Sequence, residues 1–197
     1  MRLWSLTRRP GLTLGAVTAL GLVTGALAAL APSERLQFLP VLPAVVLAWS
    51  LRSRDDAREV WAPRSPGPHD AALLACATLL FIATTVAAIA VLAPEQLALH
   101  QFVVWSSFFS VGLLGLLTSV SRLPTAAATL VLVQLTSFFV QYLFRPHGPL
   151  IALISQTSPP ALGWSVSLAT WAAGVAVIAT SARRRGIAVA GLSSPGR

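Results

Sequence analysis

Three polar residues in an apolar stretch, Gln134, Ser137 and Gln141, have the spacing of one helix face. Intervals of three and four residues place them on one face of a helix. Neutral amides and hydroxyls bind by hydrogen bonding, and in apolar surroundings they need partners. Two interpretations stay open. The face bonds to neighbouring helices, or it lines a substrate path or a subunit interface. The candidate partners are Ser106, Ser107, Ser110, Thr84 and Thr85.

A charged cluster between residues 51 and 63 is the second candidate site. Intervals of four residues favour one or two turns of helix with mixed charge. The cluster is either a solvated loop lying on lipid head groups or a short helix presented to a cytoplasmic partner. Its members are Arg54, Asp55, Asp56, Arg58, Glu59 and Trp61.

Motifs of enzyme active sites are missing from the sequence. It contains no Gly-x-Ser-x-Gly, His-Glu-x-x-His or Cys-x-x-Cys pattern and no phosphate-binding glycine loop. The single cysteine, Cys76, cannot form an internal disulfide or build a metal site alone. We therefore expect no enzymatic activity, metal or cofactor in this chain.

Six apolar stretches separate these polar clusters. Charged residues make up 10% of the chain, whereas soluble proteins carry about 25%. Most stretches contain about 20 residues, the length that crosses a bilayer core. The sequence predicts an all-α integral membrane protein with one six-helix domain at 1–185 and a flexible cytoplasmic tail at 186–197. The predicted spans are 11–31, 37–51, 71–93, 101–120, 124–144 and 161–180.

The second span is the shortest and contains Pro40 and Pro43, so we expect a broken or tilted helix inside the bundle. The first span resembles a signal peptide. At about 21 residues it is longer than the usual signal core of about 7–15, so we expect it to be retained. Cleavage is the alternative and would leave five spans.

Arginine distribution predicts the orientation. All 14 basic residues are Arg. Twelve lie in the N-terminal segment, the second and fourth connections and the tail, and two lie on the opposite side. The positive-inside rule then places both termini in the cytoplasm. We expect the protein to be a multi-pass protein of a bacterial inner membrane. A net charge of +8 at the ends of apolar spans favours anionic lipids as partners and not nucleic acid.

Small residues recur at four-residue intervals in the first span. Such faces allow close helix packing. The two series are Gly11, Gly15 and Ala19, and Gly21, Gly25 and Ala29. In the sixth span, Trp164 and Trp171 share one face, for which packing is a simpler explanation than a cation site.

This layout resembles the membrane subunits of type-2 ABC exporters, which have six spans with both ends inside. The corresponding features are an interfacial segment at 1–10, a coupling helix at 53–61 and, at 149–155, a short segment that is either re-entrant or interfacial. The resemblance implies a separate cytoplasmic ATPase that carries ATP and Mg and contacts the 54–61 cluster. It also implies a second membrane subunit, identical or related, with Gln134, Ser137 and Gln141 on the path or the dimer seam.

Two other functions stay open from the sequence. One is a substrate-capturing subunit of an energy-coupling vitamin importer, whose first helix of small residues docks to a scaffold. The other is a non-transporting accessory subunit that stabilises a larger membrane complex. The proteins that associate with the chain would distinguish these functions from an exporter.

Overall fold

The structure is a computed structural model and describes residues 10–30, 39–51, 67–96, 101–121, 123–143 and 160–192. Three sequence predictions therefore lie outside the described residues. They are the interfacial segment before Pro10, the coupling helix at 53–61 and the re-entrant segment at 149–155.

The described residues form helices and a few turn residues, with no strand among them. Each predicted apolar stretch coincides with one α-helix. A 3-10 turn, Leu39–Val41, precedes the second helix, and another, Pro94–Gln96, follows the third. The helices are α1 (Pro10–Leu30), α2 (Leu42–Leu51), α3 (Gly67–Leu92), α4 (Gln101–Leu117), α5 (Leu123–Leu143) and α6 (Pro160–Leu192).

Three of these helices are long and apolar enough to cross a membrane. They are α1, α3 and the Pro160–Thr180 part of α6. The helices α2 and α4, and the 125–137 part of α5, are apolar but shorter. The fold is thus all-helical, and length and composition fit a membrane location through three of its helices.

Helix boundaries follow the local sequence. Prolines stand at or next to the starts of α1, α3 and α6, where their missing N–H group is not needed. Asp70 lies in the first turn of α3, where the positive end of the helix dipole stabilises a carboxylate. At its other end α6 continues to Leu192, seven residues into the predicted tail, because Ala and Arg are strong helix formers.

The helices α1 and α3 pack in parallel through two glycines. A Cβ added to Gly21 would overlap Thr84 Oγ1, and a Cβ added to Gly25 would lie 2.5 Å from Ala88 Cβ. Residue numbers rise together along this interface, so both helices point the same way. The chain must therefore return between Leu30 and Gly67, the interval that contains α2.

The helices α4 and α6 form a second parallel pair. Gly112 lies against the backbone of Thr170, and a Cβ on Gly115 would lie 2.7 Å from the carbonyl oxygen of Gly174. Near the start of both helices, a Cβ on Gly163 would lie 2.9 Å from the Trp105 ring. The chain therefore returns a second time between α4 and α6, in the interval that contains α5.

The short helix α2 packs against α1, α3, α4 and α5. Pro40 and Pro43 are both buried, as expected for a broken helix inside the bundle. Four buried residues of the 41–48 segment contribute to the main hydrophobic core, namely Val41, Ala44, Leu47 and Ala48.

The helix α5 lies at the periphery of the described bundle. Its main contacts are with α4 and α2, through the buried Ala126 and Leu130. Its other side is apolar and exposed, with Leu132 63% and Phe139 56% exposed. Water would penalise such a surface, whereas lipid or a partner helix would not.

Candidate functional site

A row of buried hydroxyls follows α4. Ser106 donates to the carbonyl oxygen of Phe102 at 2.6 Å, and Ser110 donates to that of Ser106 at 2.8 Å. Ser107 donates to the carbonyl oxygen of Val103 at 2.6 Å. Each hydroxyl thus uses its only donor within the helix and keeps its acceptor capacity for another group.

One side chain of α5 uses that capacity. Gln134 Nε2 donates to Ser110 Oγ at 3.1 Å. Gln134 lies one turn beyond Leu130, on the side of α5 that faces the bundle, and is half-buried. An amide in apolar surroundings is costly without partners, so this bond gives one N–H of Gln134 a partner and connects α5 to α4.

The other predicted polar residues have different positions. Ser137 is half-buried, and the side chain of Gln141 lies outside the described residues, although α5 includes its backbone. Thr84 donates to carbonyl groups of its own helix. Thr85 donates to the carbonyl oxygen of Gly21 on α1 at 3.2 Å, so both threonines serve the α1–α3 interface.

Aromatic side chains cover the beginning of the α4–α6 interface. Trp105 meets Trp164 edge to face, with ring centroids 6.2 Å apart. Phe108 contacts Trp171 in a similar arrangement at 5.4 Å and also contacts Trp164. Such pairs stabilise by about 0.5–1.5 kcal/mol beyond the area they bury. The two tryptophans of α6 therefore anchor it to α4.

Three donors in this interface have no partner among the described residues. They are the indole N–H groups of Trp105 and Trp171 and the hydroxyl of Ser167. Ser167 is fully buried, and Trp105 is 3% exposed. An unsatisfied buried donor costs about 1–3 kcal/mol. Close glycine packing and ring contacts therefore hold α4 and α6 together despite these groups.

The two small-residue series of α1 face different surroundings. Gly21 and Gly25 are buried against α3, and Ala29 is half-buried beside them. Gly11 and Gly15 are exposed, with nothing within 4 Å of an added Cβ, and Ala19 is exposed as well. One series therefore packs inside the described bundle, and the other lies open on its surface.

The charged cluster at 54–61 lies outside the described residues, so its geometry stays a prediction. Sequence reasoning missed Asp70, which is only 8% exposed in the first turn of α3. The predicted span began at 71, which assigned Asp70 to the preceding loop. The Gly67-Pro68 helix-start signal before it was the available clue.

Sequence reasoning also missed the glycine contacts between α4 and α6. The signal was present as small residues three or four positions apart on α6, at Gly163, Ser167, Thr170 and Gly174.

Within the described residues, His, Cys, Asp and Glu form no group of three suited to a metal ion.

Comparisons with protein-family models, with characterised proteins and with solved structures find no match to this chain. Over its described residues, the chain is an all-helical bundle that has three helices of membrane-spanning length and many large apolar side chains exposed on its surface.

Proposed function

We propose that this chain is the membrane subunit of an ATP-driven exporter of the type-2 ABC class. It resides in a bacterial inner membrane, crosses it six times and associates with a second membrane subunit. A separate cytoplasmic ATPase binds ATP and Mg and drives the conformational change. This chain carries no nucleotide-binding motif of its own.

One observation carries the proposal, namely the parallel packing of α1 with α3 and of α4 with α6. It supports a return of the chain through α2 and another through α5. Six passes then bring both ends to one side, as in the exporter layout. Arginine distribution supports the same side for the termini and the 54–61 cluster, because positive loops stay in the cytoplasm.

The exposed surfaces support association with other membrane subunits. The outer side of α5 is apolar, and the Gly11, Gly15 and Ala19 face of α1 is open. Small faces of this kind favour close approach of another helix. In the proposed complex, Gln134, Ser137 and Gln141 lie on the substrate path or at the interface with the second membrane subunit, and Arg54–Trp61 contact the ATPase.

A second candidate draws on the same open face. A substrate-capturing subunit of an energy-coupling vitamin importer docks its first helix on a scaffold protein through small residues, and Gly11, Gly15 and Ala19 fit that use. This function requires a scaffold partner and a tightly bound vitamin. An exporter requires a directly bound ATPase.

Purification of the tagged chain from its native membrane tests the proposal. We expect an ATPase to co-purify with the wild-type chain and to be lost from the double variant Arg54→Glu, Arg58→Glu. The control, Arg145→Glu, changes the charge of the opposite loop and should retain the ATPase. Undiminished ATPase with the double variant would overturn the coupling assignment. A wild-type chain that brings a scaffold protein and a vitamin, or only a larger enzyme, would overturn the exporter proposal.

A further inference from the structure

We infer that the chain is built from two three-helix halves, α1–α3 and α4–α6, that run in opposite directions. We also infer that α5 is the helix that changes its packing position between two conformations. In each half the first and third helices pack tightly in parallel, and the second helix is the return. The inference does not depend on an ATPase and goes beyond the exporter proposal.

The glycine contacts of the two halves follow the same order along the helices, although Gly21 and Gly25 are four residues apart and Gly112 and Gly115 are three apart. Gly21 meets Thr84 in the first half, and Gly112 meets Thr170 in the second. Gly25 then meets Ala88 one turn later, as Gly115 meets Gly174. Thr84 and Thr170 are 86 residues apart, and Ala88 and Gly174 are also 86 residues apart. A single register of α3 on α6 therefore accounts for both contacts.

The sequences agree in that register. Residues 83–92 and 169–178 are identical at five of ten positions. Positions facing the first helix also correspond, since Phe81 and Ser167 are both fully buried and Ala77 and Gly163 are both buried. The coincidence of identity with the contact pattern is what supports a repeat.

The halves are inverted because each contains an odd number of helices. If α1 and α3 run in one direction across the membrane, α4 and α6 run in the other. The third helices, α3 and α6, pack against each other, which places the pseudo-two-fold axis between them. Inverted repeats of this kind are a common basis for alternating access in transporters.

The second helices break this symmetry. In the first half, α2 is seated among α1, α3 and α4, with Leu47 and Ala44 fully buried. Its counterpart α5 packs chiefly on α4 and α2, and within the described residues it has no comparable interface with α6 or α1. The contacts between the first and third helices are alike in the two halves, whereas the contacts of the second helices differ. The two halves therefore have different conformations.

An inverted repeat with unequal halves implies a second conformation in which the states are exchanged. In that conformation α5 moves toward α6, as α2 already lies against α3. The bond from Gln134 to Ser110 holds α5 in its present place. Its loss should therefore favour the exchanged conformation. This motion would open one side of the bundle while closing the other.

Distances between spin labels test the inference in lipid nanodiscs. Labels go on Leu132 of α5 and Leu168 of α6, both exposed, after Cys76→Ala removes the native thiol. We expect a second distance, shorter by about 5–10 Å, because packed helices lie about 8–10 Å apart. Gln134→Leu should raise the fraction of molecules with the shorter distance about twofold. A control pair at Leu22 of α1 and Leu79 of α3 should give one distance in both backgrounds.

A single, unchanged α5–α6 distance in both the parent and the Gln134→Leu chain would overturn the inference. So would a second distance that appears equally for the α1–α3 control pair. Neither result bears on the ATPase, and a missing ATPase in co-purification would leave these distances unaffected. Both proposals rest on six membrane passes, but the co-purification tests only the ATPase and the distances test only the repeat.

Discussion

Gly112 of α4 and Gly174 of α6 lie backbone against backbone. A Cβ added to Gly174 would overlap the carbonyl oxygen of Gly112 and lie 2.9 Å from its Cα. The backbone of the adjacent turns cannot yield as a flexible side chain would. This contact therefore sets the distance between α4 and α6, and with it the position of the aromatic cluster at the start of both helices.

Substitution of Gly112 should separate α4 from α6. We expect Gly112→Ala to lower the free energy of unfolding by about 1–3 kcal/mol, the usual cost of overpacking. Gly15→Ala is the matched control, since nothing lies within 4 Å of its added methyl. It should leave stability unchanged or raise it by up to about 1 kcal/mol. Denaturant titration in detergent micelles measures both, and equal effects would contradict this role for Gly112.

The Gln134–Ser110 bond should appear as a coupling energy. We expect a double-mutant cycle of Gln134→Leu and Ser110→Ala to give about 0.6 kcal/mol and at most about 1.7, the range for hydrogen bonds between membrane helices. The same cycle with Ser107→Ala is the control, because Ser107 donates only to its own helix among the described residues. Coupling as large for Ser107 as for Ser110 would contradict the assigned pair.

Thr85 should stabilise the α1–α3 interface through its hydroxyl. Thr85→Val keeps the shape of the side chain but removes the donor to the Gly21 carbonyl oxygen. We expect a loss of about 1 kcal/mol in the free energy of unfolding. Thr180→Val is the control, since Thr180 is exposed and donates only within α6 among the described residues. If Thr85→Val lowered the free energy of unfolding no more than Thr180→Val, the bond from Thr85 to Gly21 would not stabilise the interface.

Asp70 should contribute at the start of α3. Its carboxylate is buried in the first turn, where the helix dipole stabilises negative charge. We expect Asp70→Ala to lower the free energy of unfolding by about 1–2 kcal/mol. Glu95→Ala removes an exposed carboxylate near the other end of the bundle and should change stability little. If Asp70→Ala left the free energy of unfolding unchanged, the carboxylate of Asp70 would not stabilise α3.

Much of the fold followed from composition and length. Apolar stretches of about 20 residues predicted the helices because a continuous apolar run has few other stable forms, and each stretch corresponds to one helix. The prolines of the second stretch predicted an interruption, and the structure has a 3-10 turn there before α2. The boundary of α6 was less predictable because Ala and Arg continue a helix beyond the apolar run.

Partner choice was harder to predict than helix position. The spacing of Gln134 predicted a bonding face, and the α4 serines were among several possible partners. Nothing in the sequence distinguished Ser110 from Thr84 or Thr85, because that choice depends on which helices are neighbours. In the same way, two equivalent small-residue series on α1 gave no means to decide which one meets α3 and which stays open.

Cysteine accessibility tests the central claim that the chain crosses the membrane six times. Single cysteines are introduced in a Cys76→Ala chain and labelled with a membrane-impermeant maleimide, in intact cells and in inverted vesicles. The positions are Ser33, Ser65, Gln96, Ser121, Ser155 and Ser193. We expect Ser65, Ser121 and Ser193 to react only from the cytoplasmic side, and Ser33, Gln96 and Ser155 only from outside. Reaction of Ser33 and Ser65 from the same side would mean that α2 does not cross, and would contradict the account.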